Sequence, residues 1–436
     1  MTWIASLAGL AVCSSVALAQ PFDPKPLSPE TQKLAEQVQR TQNNVAAEAA
    51  DVELHAKAEA VIAKAAKFLR SRQDKATGGW SLPVADKDGK VQPVLPAITG
   101  LVLIGLLDDP TADKKKDETI DSAVKFLLKY QQPDGGIYDK ILPCYNTAIS
   151  VSALSRVNTP QAKAAVERGV TFLKSLQWSE ASDGKVGAGD ASKSVSRDHP
   201  FYGGVGYGKH GRPDSSNLAM FMQALQDAGV SPQDEAVKRA LVFLQRTQMD
   251  DRINSEKYAK GSRQGGFVYS TVENAESVES RPGQSEAGNI EETLSDGTVA
   301  SRLRAYGSMT YAGFKTLIYA ELPKDDQRVA SAMGWIRRNY TVDENPGIGA
   351  AGQYYYYLTF SRALRAFGEP TIKTLTPKGE HTGTTGERNW RADLINKLAS
   401  MQNEDGSFKS IEKRWMEANP DLITAYALES LCEAMR

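Results

Sequence analysis

The chain has 436 residues, 41% hydrophobic and 24% charged, with a mean hydropathy of −0.41. That composition excludes collagen-like, wholly disordered and polytopic membrane proteins. A net charge of −1 offers no overall basic field for nucleic acid, and the three cysteines Cys13, Cys144 and Cys432 are too few for a disulfide scaffold.

Residues 1–19, MTWIASLAGLAVCSSVALA, are apolar, lack charged side chains and close on Ala17-Leu18-Ala19. This pattern predicts a signal peptide cleaved after Ala19; a membrane span needs about 20 apolar residues. Cleavage before Cys13, with lipid attachment, is the alternative, and Val12 stands where that reaction wants a small residue. The mature chain is therefore expected to be exported, periplasmic or secreted, and without a transmembrane span. Residues 20–27 are Pro-rich and read as a flexible tether. Ser28-Pro29-Glu30 then supplies a helix start, and 28–60 is expected to be a helical extension ahead of a domain over 61–436.

One phrase recurs through that domain: a small residue, two positions, Phe-Leu, three positions, Gln. It appears at Ala65…Gln73, Ala123…Gln131, Gly169…Gln177 and Ala240…Gln248, with degenerate copies ending at Tyr340 and Gln402. Gly-rich turns with an aromatic follow: Gly78-Gly79-Trp80, Gly135-Gly136-Ile137-Tyr138, Gly203-Gly204-Val205-Gly206-Tyr207, Gly265-Gly266-Phe267 and Gly406-Ser407-Phe408. Each leads into a stretch that is apolar almost all round, beginning near Ala97, Tyr145, Ser215, Met309, Gln353 and Leu422. Helices apolar all round are buried, whereas the preceding ones carry Lys and Arg on one face. The expected fold is all-α, an (α/α)6 double-ring toroid of six outer–inner pairs with loop insertions at 183–213 and 250–307. Gly266-Phe267-Val268-Tyr269 is the only run with strand character.

The phrase, with Arg168-Gly169…Gln177 and Arg239-Ala240…Gln248 as its fullest copies, resembles the repeat of squalene-hopene cyclases and related terpenoid cyclases. The β subunits of protein prenyltransferases share the same toroid. The resemblance covers about residues 60 to 436. The repeat glutamines, with Trp80, Tyr138, Tyr207 and Phe267, are expected to tie outer helices to turns and not to take part in chemistry.

The resemblance implies catalytic motifs that this chain lacks. Protonating cyclases use Asp-x-Asp-Asp; the nearest run is Gln248-Met249-Asp250-Asp251, read here as a solvated loop. Asp108-Asp109-Pro110-Thr111-Ala112-Asp113 misses the Asp-Asp-x-x-Asp spacing of ionising synthases. Zinc-binding relatives place an Asp where Leu142 stands before Cys144, and a His on the last inner helix, near Ile423. His55, His199, His210 and His381 all lie off the inner helices, so no metal and no cofactor are expected. Cys144 and Cys432 begin and end inner helices at opposite ends of the barrel, too far apart to bridge.

Inner helices that all start from the turn side gather their N-termini at one opening. Asn146, Tyr311, Tyr354, Tyr357 and Asp421 are the expected cavity residues there. Asp214, Asp198 and His199 are the weak candidates for chemistry, although Asp214 and Asp421 also suit helix capping. The acidic stretch from Glu273 to Asp296 reads as a solvated loop. Three functions follow: a non-catalytic exported toroid that binds an apolar small molecule or a cell-envelope protein, a divergent enzyme acting on a polyprenyl or triterpenoid substrate, and a carbohydrate-active barrel using Asp198 and Asp214.

Overall fold

The computed structural model describes residues 29–81, 92–113, 117–180, 194–208, 211–273, 282–375 and 386–436. The leader, the tether, Lys209, His210 and His381 lie outside the described residues. The chain divides into a unit ending at Glu53 and a unit from Leu54 to Arg436. In the first, residues 29–53 are helical. The division falls ahead of the expected 60/61 boundary, and Ala58, with Leu54 packed against the same cluster, is already a core residue.

Outer helices are α1 (Pro29–Arg72), α3 (Glu118–Lys129), α5 (Pro160–Ser175), α7 (Glu235–Thr247), α9 (Gln327–Arg338) and α11 (Trp390–Met401). Inner helices are α2 (Pro96–Asp108), α4 (Pro143–Leu154), α6 (Ser215–Asp227), α8 (Gly307–Tyr319), α10 (Gln353–Phe367) and α12 (Pro420–Met435). Each inner helix packs on the next, and α12 returns to α2, so the inner ring closes. The inner helices are buried at nearly every position, while α3 buries only the face carrying Ile120, Ala123, Val124, Phe126 and Leu127. The difference is the one their hydrophobic patterns require.

The repeat glutamines join neighbouring pairs. Gln177 Nε2 donates to Gly203 O in its own turn and to Ala236 O on the next outer helix, both at 2.9 Å. Gln73, Gln131 and Gln248 repeat this double bond, and Gln402 closes the outer ring by donating to Val61 O at 2.9 Å. In the degenerate copy Tyr340 substitutes for glutamine, its hydroxyl donating to Asp393 of α11 at 2.7 Å. A second tie runs inward: the amides of Trp80, Ile137, Phe267 and Phe408 donate to Thr99, Thr147, Thr310 and Thr424 on the inner helices. Gly203 has φ +82, and a Cβ there would stand 1.8 Å from Arg239 O, so both conformation and close approach demand glycine.

Two expectations fail here. The insertion over 250–307 is rich in β-hairpins: β1 (Gln248–Asp250) pairs with β2 (Arg263–Phe267), β3 (Ser270–Val272) with β4 (Pro282–Gln284), and β5 (Asn289–Thr293) with β6 (Val299–Leu303). A further pair joins β7 (Ile372–Thr374) to β8 (Gly386–Arg388). The described part of the acidic stretch is therefore strand as well as loop. Asp250 is also not solvated: it is fully buried and paired with Arg252 and Arg263, with Ser331 donating to it. Against the cost of burial, these partners hold its carboxyl below the ordinary carboxylate range. Cys144 and Cys432 are both buried free thiols.

Candidate ligand cavity

The N-terminal ends of all six inner helices surround one cavity of about 240 Å³. Leu95 and Ile98 come from the start of α2, Leu142 and Tyr145 from α4, and Ser216 and Met220 from α6. Tyr306, Ser308 and Met309 come from α8, Gly352 and Tyr355 from α10, and Leu422 and Tyr426 from α12. Lining residues thus recur one helical turn apart on each helix. The two insertions reach the same end, supplying Tyr207 and Tyr269, and the loop before α12 adds Trp415, Met416 and Glu417.

Six phenols occupy the wall. Tyr145 and Tyr426 share a hydrogen bond at 3.0 Å, and the Tyr207 ring lies 6.0 Å from that of Tyr145. The Tyr355 hydroxyl is buried without a partner among the described residues. Burial pushes all six phenols above the ordinary tyrosine range, so they are neutral at physiological pH. Leu142, Trp415 and Met416 have φ of 49°, 51° and 66°. Non-glycine residues held there cost roughly 1–3 kcal/mol each. The strain therefore gathers at the rim, where Trp415 and Met416 are both 44% exposed.

Six converging helix N-termini would ordinarily attract an anion. Here side chains from the surroundings take up their amides. Asn146 accepts from Ala97 N on α2, Asp214 from Asn217 N on α6, and Asn345 from Ser308 N on α8, each at 2.9 Å. Glu417 accepts from Tyr354 N on α10 at 3.0 Å, where the cap residue Gly352 has no side chain to offer. Asn419 accepts from Asp421 N and Leu422 N on α12, and on α4 Pro143 is followed by Cys144, whose amide donates to Tyr207 O at 3.2 Å. No lysine or arginine lines the cavity among the described residues.

The candidates from sequence mostly stand behind this wall. Asp214 is the buried cap of α6: Oδ1 accepts from Asn217 N and Ser216 Oγ, Oδ2 from Asn217 Nδ2 at 2.7 Å. Burial raises its carboxyl. Asn146, expected in the cavity, instead bonds α2 to the start of α4. Tyr311 packs against Tyr356 and Phe360. Tyr354 and Tyr357, one turn apart on α10, both point into the outer shell, donating to Lys409 O and Val342 O. That leaves Tyr355 as the member of the tyrosine run that reaches the cavity. Asp421 pairs with Arg72 at 3.0 Å. His199 stacks on Trp178, and its Nδ1 accepts from Phe201 N at 3.1 Å; burial, with Arg246 nearby, lowers its pKa. Asp198 beside it is exposed. Neither lines the cavity, and the structure does not assemble them with Asp214 into an acid/base group. Tyr207, expected to pack between helices, is a cavity residue, and buried Val205 takes its place in the turn. Among the described residues no three His, Cys, Asp or Glu are placed to share a metal ion.

The opposite end of the inner ring is closed by charge. Arg362 pairs there with Glu429, Arg365 with Glu433, and Arg156 spans Asp108 and Asp227 at 3.3 and 3.1 Å. Lys315, 2% exposed, donates to Gln223 Oε1 at 3.0 Å, and burial lowers its pKa to about 7. Burial, with Asp108 and Glu433 adding to it, raises Glu429 to about 8 against the pull of Arg362 and Arg156.

Comparison with known families gives one match, the squalene-hopene cyclase C-terminal domain, over residues 81–272. No curated protein matches. Among solved structures, a variant of the type II terpene cyclase MstE from Scytonema, in complex with geranylgeranyl dihydroxybenzoate, is 14% identical with a TM-score of 0.49, covering 88% of this chain and 99% of that one. A protein from Actinoplanes is 15% identical with a TM-score of 0.44, covering 87% of this chain and 100% of its own. The chain is thus similar over residues 81–272 to the squalene-hopene cyclase C-terminal domain, and its repeat phrase and closed double ring make it an α/α toroid.

Proposed function

We propose that the protein binds an apolar ligand of prenyl or terpenoid type in the tyrosine-lined cavity, without the protonation chemistry of the squalene-hopene cyclases. The carrying observation is that all six inner helices converge on an apolar cavity in a chain without Asp-x-Asp-Asp. At about 240 Å³ it is smaller than the roughly 300–1,000 Å³ of drug-sized sites, so it suits a short apolar segment. A longer ligand would extend past Trp415 and Met416. The apolar leader closing on Ala17-Leu18-Ala19 supports a place outside the cytoplasm.

A divergent acid-dependent reaction is the second reading, and Glu417 is its support: a carboxyl on the cavity wall, raised by burial. The carbohydrate reading has no such support, since Asp198 is exposed while both oxygens of Asp214 serve its cap. The test is organic extraction of the purified protein with mass spectrometry, alongside thermal melts with isoprenoid compounds. A retained isoprenoid, or melting raised by its addition, is expected. Empty extracts and unmoved melting would overturn the proposal. Conversion of the added compound, abolished in Glu417→Gln, would favour the enzyme.

A further inference from the structure

We infer that the ligand is an uncharged molecule carrying one oxygen, such as an isoprenoid alcohol, with that oxygen held by Tyr355; this rests on the apolar-ligand reading above. The cavity has apolar surface from Leu95, Ile98, Leu142, Met220, Met309 and Leu422, and among the described lining residues one buried side-chain hydroxyl without a partner, that of Tyr355. Tyr145 and Tyr426 are hydrogen-bonded to one another, whereas the Tyr355 hydroxyl is buried without a partner among the described residues. Buried polar groups are nearly always paired, and an orphan marks a missing partner. The Tyr355 ring lies 6.0 Å from the Tyr426 ring, so a ligand oxygen at Tyr355 would sit beside the Tyr145–Tyr426 pair.

Charge decides what kind of oxygen this is. A phosphate or carboxylate would find the helix amides already capped and no cation on the wall. The nearest guanidiniums are committed elsewhere. Arg414 stacks on Trp415 and pairs with Glu286 at 2.7 Å; Arg212 bonds Gln284 and the Glu273 carbonyl. A neutral hydroxyl, carbonyl or ether oxygen meets no such penalty and satisfies the phenol.

Calorimetric titration can separate this inference from its parent. The probes are a ten-carbon acyclic isoprenoid hydrocarbon, its primary alcohol and the diphosphate ester of that alcohol, each against wild type and Tyr355→Phe. In the wild type the alcohol should bind about three- to tenfold tighter than the hydrocarbon, the return on one hydrogen bond. Tyr355→Phe should lower alcohol affinity to the hydrocarbon's level, leave hydrocarbon affinity unchanged, and melt no lower than wild type, since it removes an unpaired hydroxyl. The diphosphate should bind more weakly than the alcohol. Equal alcohol and hydrocarbon affinities, or an alcohol preference that survives in Tyr355→Phe, would overturn the inference while leaving the apolar-ligand reading standing. Tightest binding of the diphosphate would overturn neutrality. Failure of all three probes to bind would remove both.

Discussion

The two ends of the inner ring are built from the same six helices and solve opposite electrostatic problems. At the N-terminal end, converging amides carry partial positive charge; at the C-terminal end, converging carbonyls carry partial negative charge. The N-terminal end is neutralised by polar caps, Asn146, Asp214, Asn345, Glu417 and Asn419, and is left hollow and apolar. The C-terminal end takes buried cations, Arg156, Lys315 and Arg362, together with carboxylates that answer them. The lesson is that capping makes a ring of helix N-termini hospitable to a neutral ligand, while an ion network makes the other end a plug.

Removing one member of the plug should give the largest effect. Arg362→Leu takes from Glu429 its buried ion-pair partner, and the expected loss is about 3–5 kcal/mol in a urea titration. Arg362→Leu combined with Glu429→Leu should recover much of that loss, because desolvation is relieved along with the attraction. Ligand affinity at the far cavity should be unchanged in whatever fraction stays folded.

The plug also sets a pH dependence. Glu429 is raised to about 8 from an ordinary 4.5, so the folded state binds more protons than the unfolded one between those values. Stability contributed by the neutral carboxyl is complete below about 4.5 and is lost as pH rises through about 8. Melting followed from pH 5 to 8 should show this decline, and Glu429→Gln should flatten it.

The outer shell should respond at an intermediate level and independently of either end. Gln177→Ala leaves two buried carbonyls, Gly203 O and Ala236 O, without their donor. A loss of about 1–3 kcal/mol is expected in denaturation, with unchanged ligand affinity. Reduced affinity at wild-type stability would assign the glutamine to the site.

The smallest effect belongs to Asp214→Asn. The new amide can keep its oxygen on Asn217 N and turn its NH2 to Asn217 Oδ1, which is now buried without a partner. Thermal melts should place the change within about 1 kcal/mol. Lost ligand binding at unchanged stability would show that the carboxylate itself serves the cavity.

Much of the fold was legible because repetition multiplies weak signals. The glutamine phrase marked the outer helices, and continuous apolar runs marked the inner ones. Even Tyr340 in the glutamine position proved to bridge to the next outer helix. The threonines Thr99, Thr147, Thr310 and Thr424 carried a second repeat that spacing alone did not single out. Strands in the second insertion were harder, because β5 alternates exposed with half-buried and shows no apolar face. Its Asp296-Gly297 turn was the available signal. The site was least legible. Sequence pointed to the end of the ring where the cavity lies, but it chose polar residues such as Asn146 and Asp214, which face backward as caps. Which member of the run from Tyr354 to Tyr357 faces inward depends on the rotation of α10 about its axis, and packing sets that rotation.

The most direct test of ligand binding is to fill the cavity from within. Met220 lines it from α6, and Met220→Trp should occupy the space at about 1–3 kcal/mol of overpacking. Titrating a ten-carbon isoprenoid hydrocarbon into wild type and variant, each first shown to melt cooperatively, gives the comparison. Saturable binding in the wild type that disappears in Met220→Trp is the expected result; equal binding by both proteins, or none by the wild type, would contradict a ligand site at the head of the inner ring.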